Sequence, residues 1–153
     1  MDTTSYQKVH CEIKEMEGLS EALLALHEMR RKFCTSLKLL LEGAGFPEEM
    51  VCNIIQAVGE GIFNVRHAYS EHQLKIALTQ PESISATAYI SPSRVCVIIR
   101  DDGPNGTIQE VPDSQNDLWS ERGRGILMMK ALTNFSIIAN EPGHHSIQLV
   151  VYR

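Results

Sequence analysis

The apolar residues of this 153-residue chain change period part-way along, and that change restricts which elements it can build. From Ser20 to about Tyr69 they recur at helical spacing. Leu23, Leu26, Phe33, Leu37 and Leu40 make one stripe, with Arg30 and Arg31 on its solvent side, until Gly43 and Gly45 stop the helix. Pro47 suits the first turn of a second helix, whose dipole Glu48 and Glu49 complement. Its stripe is Val51, Ile54, Ile55, Val58, Ile62 and Val65. Elsewhere the apolar positions alternate, as strands require. Val9, Cys11 and Ile13 do so within residues 8–16, and 85–90 and 94–101 form a pair joined by Ser91-Pro92-Ser93. A third helix over about 125–132 precedes two final strands around Glu141-Pro142-Gly143, with Ile147, Leu149 and Val151 alternating in the last.

The resulting order is β-α-α-β-β-loop-α-β-β. Short turns between successive strands imply antiparallel pairing, with helices laid over one face of the sheet. The length suits one core. The expectation is an α+β two-layer sandwich in a single domain spanning 1–153.

Composition narrows the function. A net charge of -5 and a pI near 5.7 argue against nucleic acid as a partner, since phosphate backbones need a basic surface. No apolar run approaches the ~18 residues that span a bilayer. The start, Met1-Asp2-Thr3-Thr4-Ser5, lacks the basic flank and apolar stretch of a signal peptide. Cys11, Cys34, Cys52 and Cys96 are scattered in apolar patterns, as packed, reduced thiols of a cytoplasmic protein would be.

Three motifs carry chemistry. On the second helix Glu60 and Asn64 share a face, one turn apart, with Ala57, Gly61 and Ala68, and with His67 near its edge. Each glycine inside a helix costs roughly 1 kcal/mol against alanine, yet Gly59 and Gly61 both stand here. Either a ligand or another backbone comes close. A carboxylate beside an amide on such a face suits a hydrated Mg²⁺; a solvated polar face is the plainer alternative. Alternation puts Asp101 on the side of Val95, Val97 and Ile99, where a buried acid needs donors such as an adenine amino group, and Gly103 would let the backbone approach the base. Read plainly, Asp101-Asp102-Gly103-Pro104 is turn chemistry. Gly123-Arg124-Gly125 stands before a helix, where free N–H groups make a phosphate site to which Arg122, Arg124 and Lys130 add charge, or else it is a hinge. Residues 102–122 lack periodicity, and loops of that length are usually functional. Trp119 in that loop covers a partly buried edge or contacts a partner. His144 and His145 fall in an exposed hairpin turn with no further metal ligand spaced to join them.

In this order and spacing, Glu60-x-x-x-Asn64, Asp101-x-Gly103, a loop and Gly123-x-Gly125 resemble the GHKL (histidine-kinase-like) ATPase superfamily. Within it, Gln56-Ala57-Val58-Gly59-Glu60 through Asn64-Val65-Arg66-His67-Ala68-Tyr69 is similar to the N box of the anti-sigma-factor serine/threonine kinases. Asp101-Asp102-Gly103-Pro104 and Gly123-Arg124-Gly125-Ile126 resemble their G1 and G2 boxes. The resemblance implies the GHKL (Bergerat) fold, with a mixed, mostly antiparallel sheet, and ATP and Mg²⁺ as cofactors. It implies Asn64 as the Mg²⁺ ligand, Glu60 as the general base acting on a hydroxyl, and Asp101 as acceptor for the adenine amino group, with Gly103 lining that pocket. Gly123 and Gly125 would supply phosphate-binding amides beside Arg122 and Arg124, and residues 104–122 would form the ATP lid. The implied partners are a STAS-type anti-anti-sigma factor, which the kinase phosphorylates, a sigma factor, which it sequesters, and a second copy of the chain.

Three positions depart from that pattern. Asn105 replaces the second glycine of the G1 box, the connection 71–83 is longer than usual, and Gly143-His144-His145 stands where a Gly-Thr pair is typical. A non-catalytic GHKL module, in which nucleotide at most sets the shape of a partner surface, is the alternative; retention of Glu60 and Asn64 speaks against it. A sensor histidine kinase module would need a phosphoacceptor on an upstream helix, and His10 sits in a strand pattern while His27 lies among Leu and Ala.

Overall fold

A computed structural model describes residues 20–105, 121–141 and 143–153, and for 121–124 the backbone alone. The strand pattern at 8–16, Cys11, most of the expected lid (106–120) with Trp119, and Pro142 lie outside the described residues. The elements run α1 (Glu21–Gly43), α2 (Glu48–Asn64), a 3₁₀ turn (Val65–Ala68), α3 (Glu71–Ala77), β1 (Ile84–Ser91), β2 (Arg94–Asp101), α4 (Glu121–Leu132), β3 (Phe135–Glu141) and β4 (His144–Tyr152).

Ser20 starts α1 because its hydroxyl accepts the Leu23 N–H at 3.2 Å, satisfying one of the orphan donors of the first turn. Ala22, Leu26, Leu37 and Leu41 form its buried stripe. Leu40, expected in that stripe, is 60% exposed, because the turn after Leu37 brings Leu41 onto the core side instead. Arg30 is corrected in the other direction. Four residues after Leu26, it is half-buried, and its guanidinium lies 4.9 Å from the centroid of the Phe63 ring on α2. Gly45, at φ +86°, takes the left-handed turn that ends the helix.

Helix α2 is the central element of the helical layer, packed against α1 on one side and α4 on the other. Val51, Ile54, Ala57, Val58, Gly61 and Ile62 are buried on it, each large aliphatic contributing roughly 1.5–3 kcal/mol. The expected continuous helix to Tyr69 stops at Asn64 and tightens into the 3₁₀ turn. The polar connection 71–83 contains α3, opened by a capping box between Ser70 and Gln73. With seven residues and two buried side chains, Leu74 and Ala77, α3 is too short to show a period.

The four described strands pair in the order β1-β2-β4-β3, every pairing antiparallel. The expected α+β sandwich is what forms. Val95, Val97, Ile99 and Asp101 of β2 face the helices, in register with Val151, Leu149, Ile147 and His145 of β4. An apolar row thus ends in a buried polar pair. The opposite sheet face carries Tyr89, Phe135, Ile137 and Tyr152, all exposed. Among the described residues Cys34, Cys52 and Cys96 are free thiols, and Cys52 is exposed rather than packed. No helix among these residues is long and apolar enough to cross a membrane.

Helix α4 begins at Glu121, four residues before the expected start at Gly125. Gly123 and Gly125 therefore lie inside its first turns. Glycine is tolerated there because the helix buries Gly125, Ile126 and Met129 against α2, and that packing outweighs the intrinsic cost.

Candidate functional site

The C-terminal half of α2 brings the three motifs together. Glu60 is half-buried and Asn64, at 6% exposure, closes the helix. The Glu60 carboxylate rests against the first turns of α4: a Cβ on Gly125 would lie 3.0 Å from Glu60 Oε2. Gly123 and Gly125, the expected pair of phosphate-binding amides, both lie in the first turns of the described helix. The side chains of Arg122 and Arg124 lie outside the described residues.

The segment after β2 meets the 3₁₀ turn that continues the C-terminal end of the same helix. Gly103 is buried against the 3₁₀ turn, where a Cβ would come within 2.5 Å of the Ala68 carbonyl oxygen. The absence of a side chain at Gly103 is what lets this loop pack against Ala68. Hydrogen bonds strap this loop down. Asn105 N–H donates to Ala68 O and Asp102 N–H to Ser83 O, both at 3.0 Å. The Tyr69 hydroxyl donates to Asp102 Oδ1 at 2.6 Å. Asn105 Nδ2 donates to Gln73 Oε1 at 3.1 Å, on the capping residue of α3. Burial, and then the Asp102 carboxylate, push the Tyr69 hydroxyl above its ordinary pKa, so it stays protonated and donating.

Asp101 is buried at 5% exposure, and its Oδ1 receives two donors. One is the Gly103 N–H at 3.0 Å. The other is Nδ1 of His145 at 2.8 Å, itself 3% exposed. An Asp carboxylate only accepts, so His145 carries a proton on Nδ1, an assignment made from the partner. His145 is thus no exposed turn residue. It shares parity with Ile147, Leu149 and Val151, so the alternation already on view places it on the buried face.

Sequence reasoning also missed a cationic cluster beside Glu60. Phe63 carries Arg66 at 4.0 Å and Arg30 at 4.9 Å from its ring centroid, with the His27 ring at 4.2 Å. Burial lowers the Arg30 pKa, while Cys34 and Glu60 act to raise it, and a guanidinium stays charged throughout. Burial, then Arg30 and Arg66, pull the His27 pKa below its ordinary value. The spacing Leu26–Arg30 was the available signal.

The architecture and the converging segments match one family. The model of the histidine kinase-like ATPase domain covers residues 22–151. The chain belongs to that family. No curated protein matches it. Membership of the GHKL superfamily implies ATP binding, and the fold brings the loop after β2 and the first turns of α4 against the C-terminal end of α2 and its 3₁₀ turn.

Proposed function

We propose that this GHKL domain is a cytoplasmic serine/threonine kinase that phosphorylates a STAS-type anti-anti-sigma factor, sequesters a sigma factor and works as a homodimer. The reading rests on the placement of Glu60, whose carboxylate lies at the start of α4 one turn from Asn64. Phosphoryl transfer needs positioning, charge neutralisation and a base near the attacking hydroxyl. Glu60 fits the base. The amide oxygen of Asn64 fits a Mg²⁺ ligand, and the backbone N–H groups of Gly123 and Gly125 near the start of α4 fit a phosphate site, with Arg122 and Arg124 adding charge. Bound Mg²⁺ would neutralise phosphate charge. A hydrated Mg²⁺ takes few protein oxygens and draws the rest from phosphate and water. Asp101 fits an acceptor for an adenine amino group, with Gly103 lining that pocket. The resemblance of the boxes, rather than any observed partner surface, supports the named partners.

Label transfer from ATP to the STAS proteins of the same genome tests this, with Glu60→Ala as control. Transfer that falls by about 10²–10⁴-fold in the control supports the kinase. ATP binding without transfer leaves a non-catalytic nucleotide switch. Absence of ATP binding rejects both.

A further inference from the structure

The Asp101–His145 pair has no place in the sequence reading, and both of its side chains are buried. Asp101 and His145 are Cα partners across β2 and β4, with their side chains on the helix-facing side. The side chains are 5% and 4% exposed. A carboxylate held by a single donor keeps a broad torsion about its last bond. Here the Gly103 N–H reaches Oδ1 from the following loop and His145 reaches the same oxygen from the neighbouring strand. Two donors from two elements fix the plane of the group. They also commit Oδ1, so Oδ2 is the oxygen left to face a ligand.

We propose that His145 is a positioning residue that sets the nucleobase selectivity of this pocket. It holds Asp101 so that Oδ2 meets the 6-amino group of a purine, which donates, and refuses a 6-oxo group, which can only accept. The proposal rests on the nucleotide reading of the site. A buried acceptor aimed at one donor discriminates against an analogue lacking it, because the acceptor is then left unpaired.

The test uses the full chain and equilibrium binding of ATP, of purine riboside triphosphate, which lacks the 6-amino group, and of GTP. The wild type is expected to prefer ATP over both by at least about tenfold. His145→Leu keeps volume but removes the donor, and the ratio should fall below about threefold. His145→Asn places an amide N–H near the position of Nδ1 and should keep the preference. A wild-type ratio retained in His145→Leu, or lost equally in both variants, overturns the assignment. One further measurement needs no variant. The His145 Nδ1–H signal in ¹⁵N-edited NMR should move on saturation with ATP and not with purine riboside triphosphate; an equal response to both rejects the proposal. A wild type that binds both nucleotides equally sinks the proposal alone, whereas one that binds neither sinks the nucleotide reading with it.

Discussion

Two glycines lie at close approaches along the same helical unit, Gly61 within α2 and Gly103 against its 3₁₀ extension, yet the neighbours they meet differ in kind. At Gly61 an added Cβ would meet side-chain ends, Ile99 Cδ1 at 2.5 Å and Met129 Sδ at 3.3 Å. At Gly103 it would meet the backbone of Ala68. A side-chain end moves by changing rotamer; a carbonyl held in a strapped turn does not. The first glycine is therefore a packing solution for a helix lying close on a sheet. The second is what lets the loop after β2 lie on the 3₁₀ turn at all.

The largest effect follows from the immovable neighbour. Gly103→Ala is expected to cost about 3 kcal/mol or more, since overpacking against backbone has no rotamer escape. A chemical denaturation midpoint that falls at an unchanged slope would show it. Because Asp101 Oδ1 accepts the Gly103 N–H, ATP affinity should fall in the same variant. A variant with wild-type stability would mean that the two segments are not apposed as described.

Gly61→Ala should cost less, about 1–3 kcal/mol, and the cost should be recoverable. Ile99→Val removes the Cδ1 that the new methyl would strike. Alone it costs about 0.5–1.5 kcal/mol. In the double variant the two should fall short of their sum, with a coupling of at least about 0.5 kcal/mol measured by a double-mutant cycle. Strict additivity would remove Ile99 as the neighbour and weaken the contrast with Gly103.

The same contrast explains what was legible beforehand. Long patterns survived into the structure: both large helices, the β1–β2 pair and the final hairpin carried enough periods to declare themselves. Gly61 drew attention, but the sequence could not say whether a ligand or the protein filled its space, because that depends on Ile99 and Met129 arriving from elements far along the chain. His145 was legible in parity with Ile147, Leu149 and Val151, and the adjacent Gly143 and His144 disguised it as a turn. Arg30 was similarly legible four residues after Leu26, and its charge disguised it as surface. The start of α4 was not legible, since Gly123 and Gly125 lower helix propensity and only packing on α2 restores it.

The straps around Gly103 come next in size. Tyr69→Phe removes the hydroxyl that donates to Asp102 and accepts its N–H at 3.1 Å, at an expected cost of about 1 kcal/mol. The pH dependence identifies the cause. The Tyr69 pKa is raised in the folded chain, so above an ordinary value of 10.0 the unfolded chain loses its proton first and stability declines with rising pH. Tyr69→Phe should lose that alkaline component in pH-resolved denaturation. A wild-type and variant pair with parallel alkaline profiles would dissociate the loop from Tyr69.

The smallest effect belongs to the third side of α2, where His27 stacks on Phe63 with Arg30 bonded to its ring nitrogen. Here the folded pKa is lowered, by burial first and then by Arg30 and Arg66. Below the ordinary value of 6.5 the unfolded chain therefore binds a proton that the folded chain resists, and stability falls with pH until the folded pKa is passed. His27→Gln should flatten that acid-side decline while leaving stability at pH 8 within about 0.5–1 kcal/mol of wild type. The site is half-exposed, so solvent screens the effect, and raised salt should shrink it further. A decline that persists unchanged in His27→Gln would assign it to other groups and leave Gly61 and Gly103 as the two contacts that distinguish the faces of this helix.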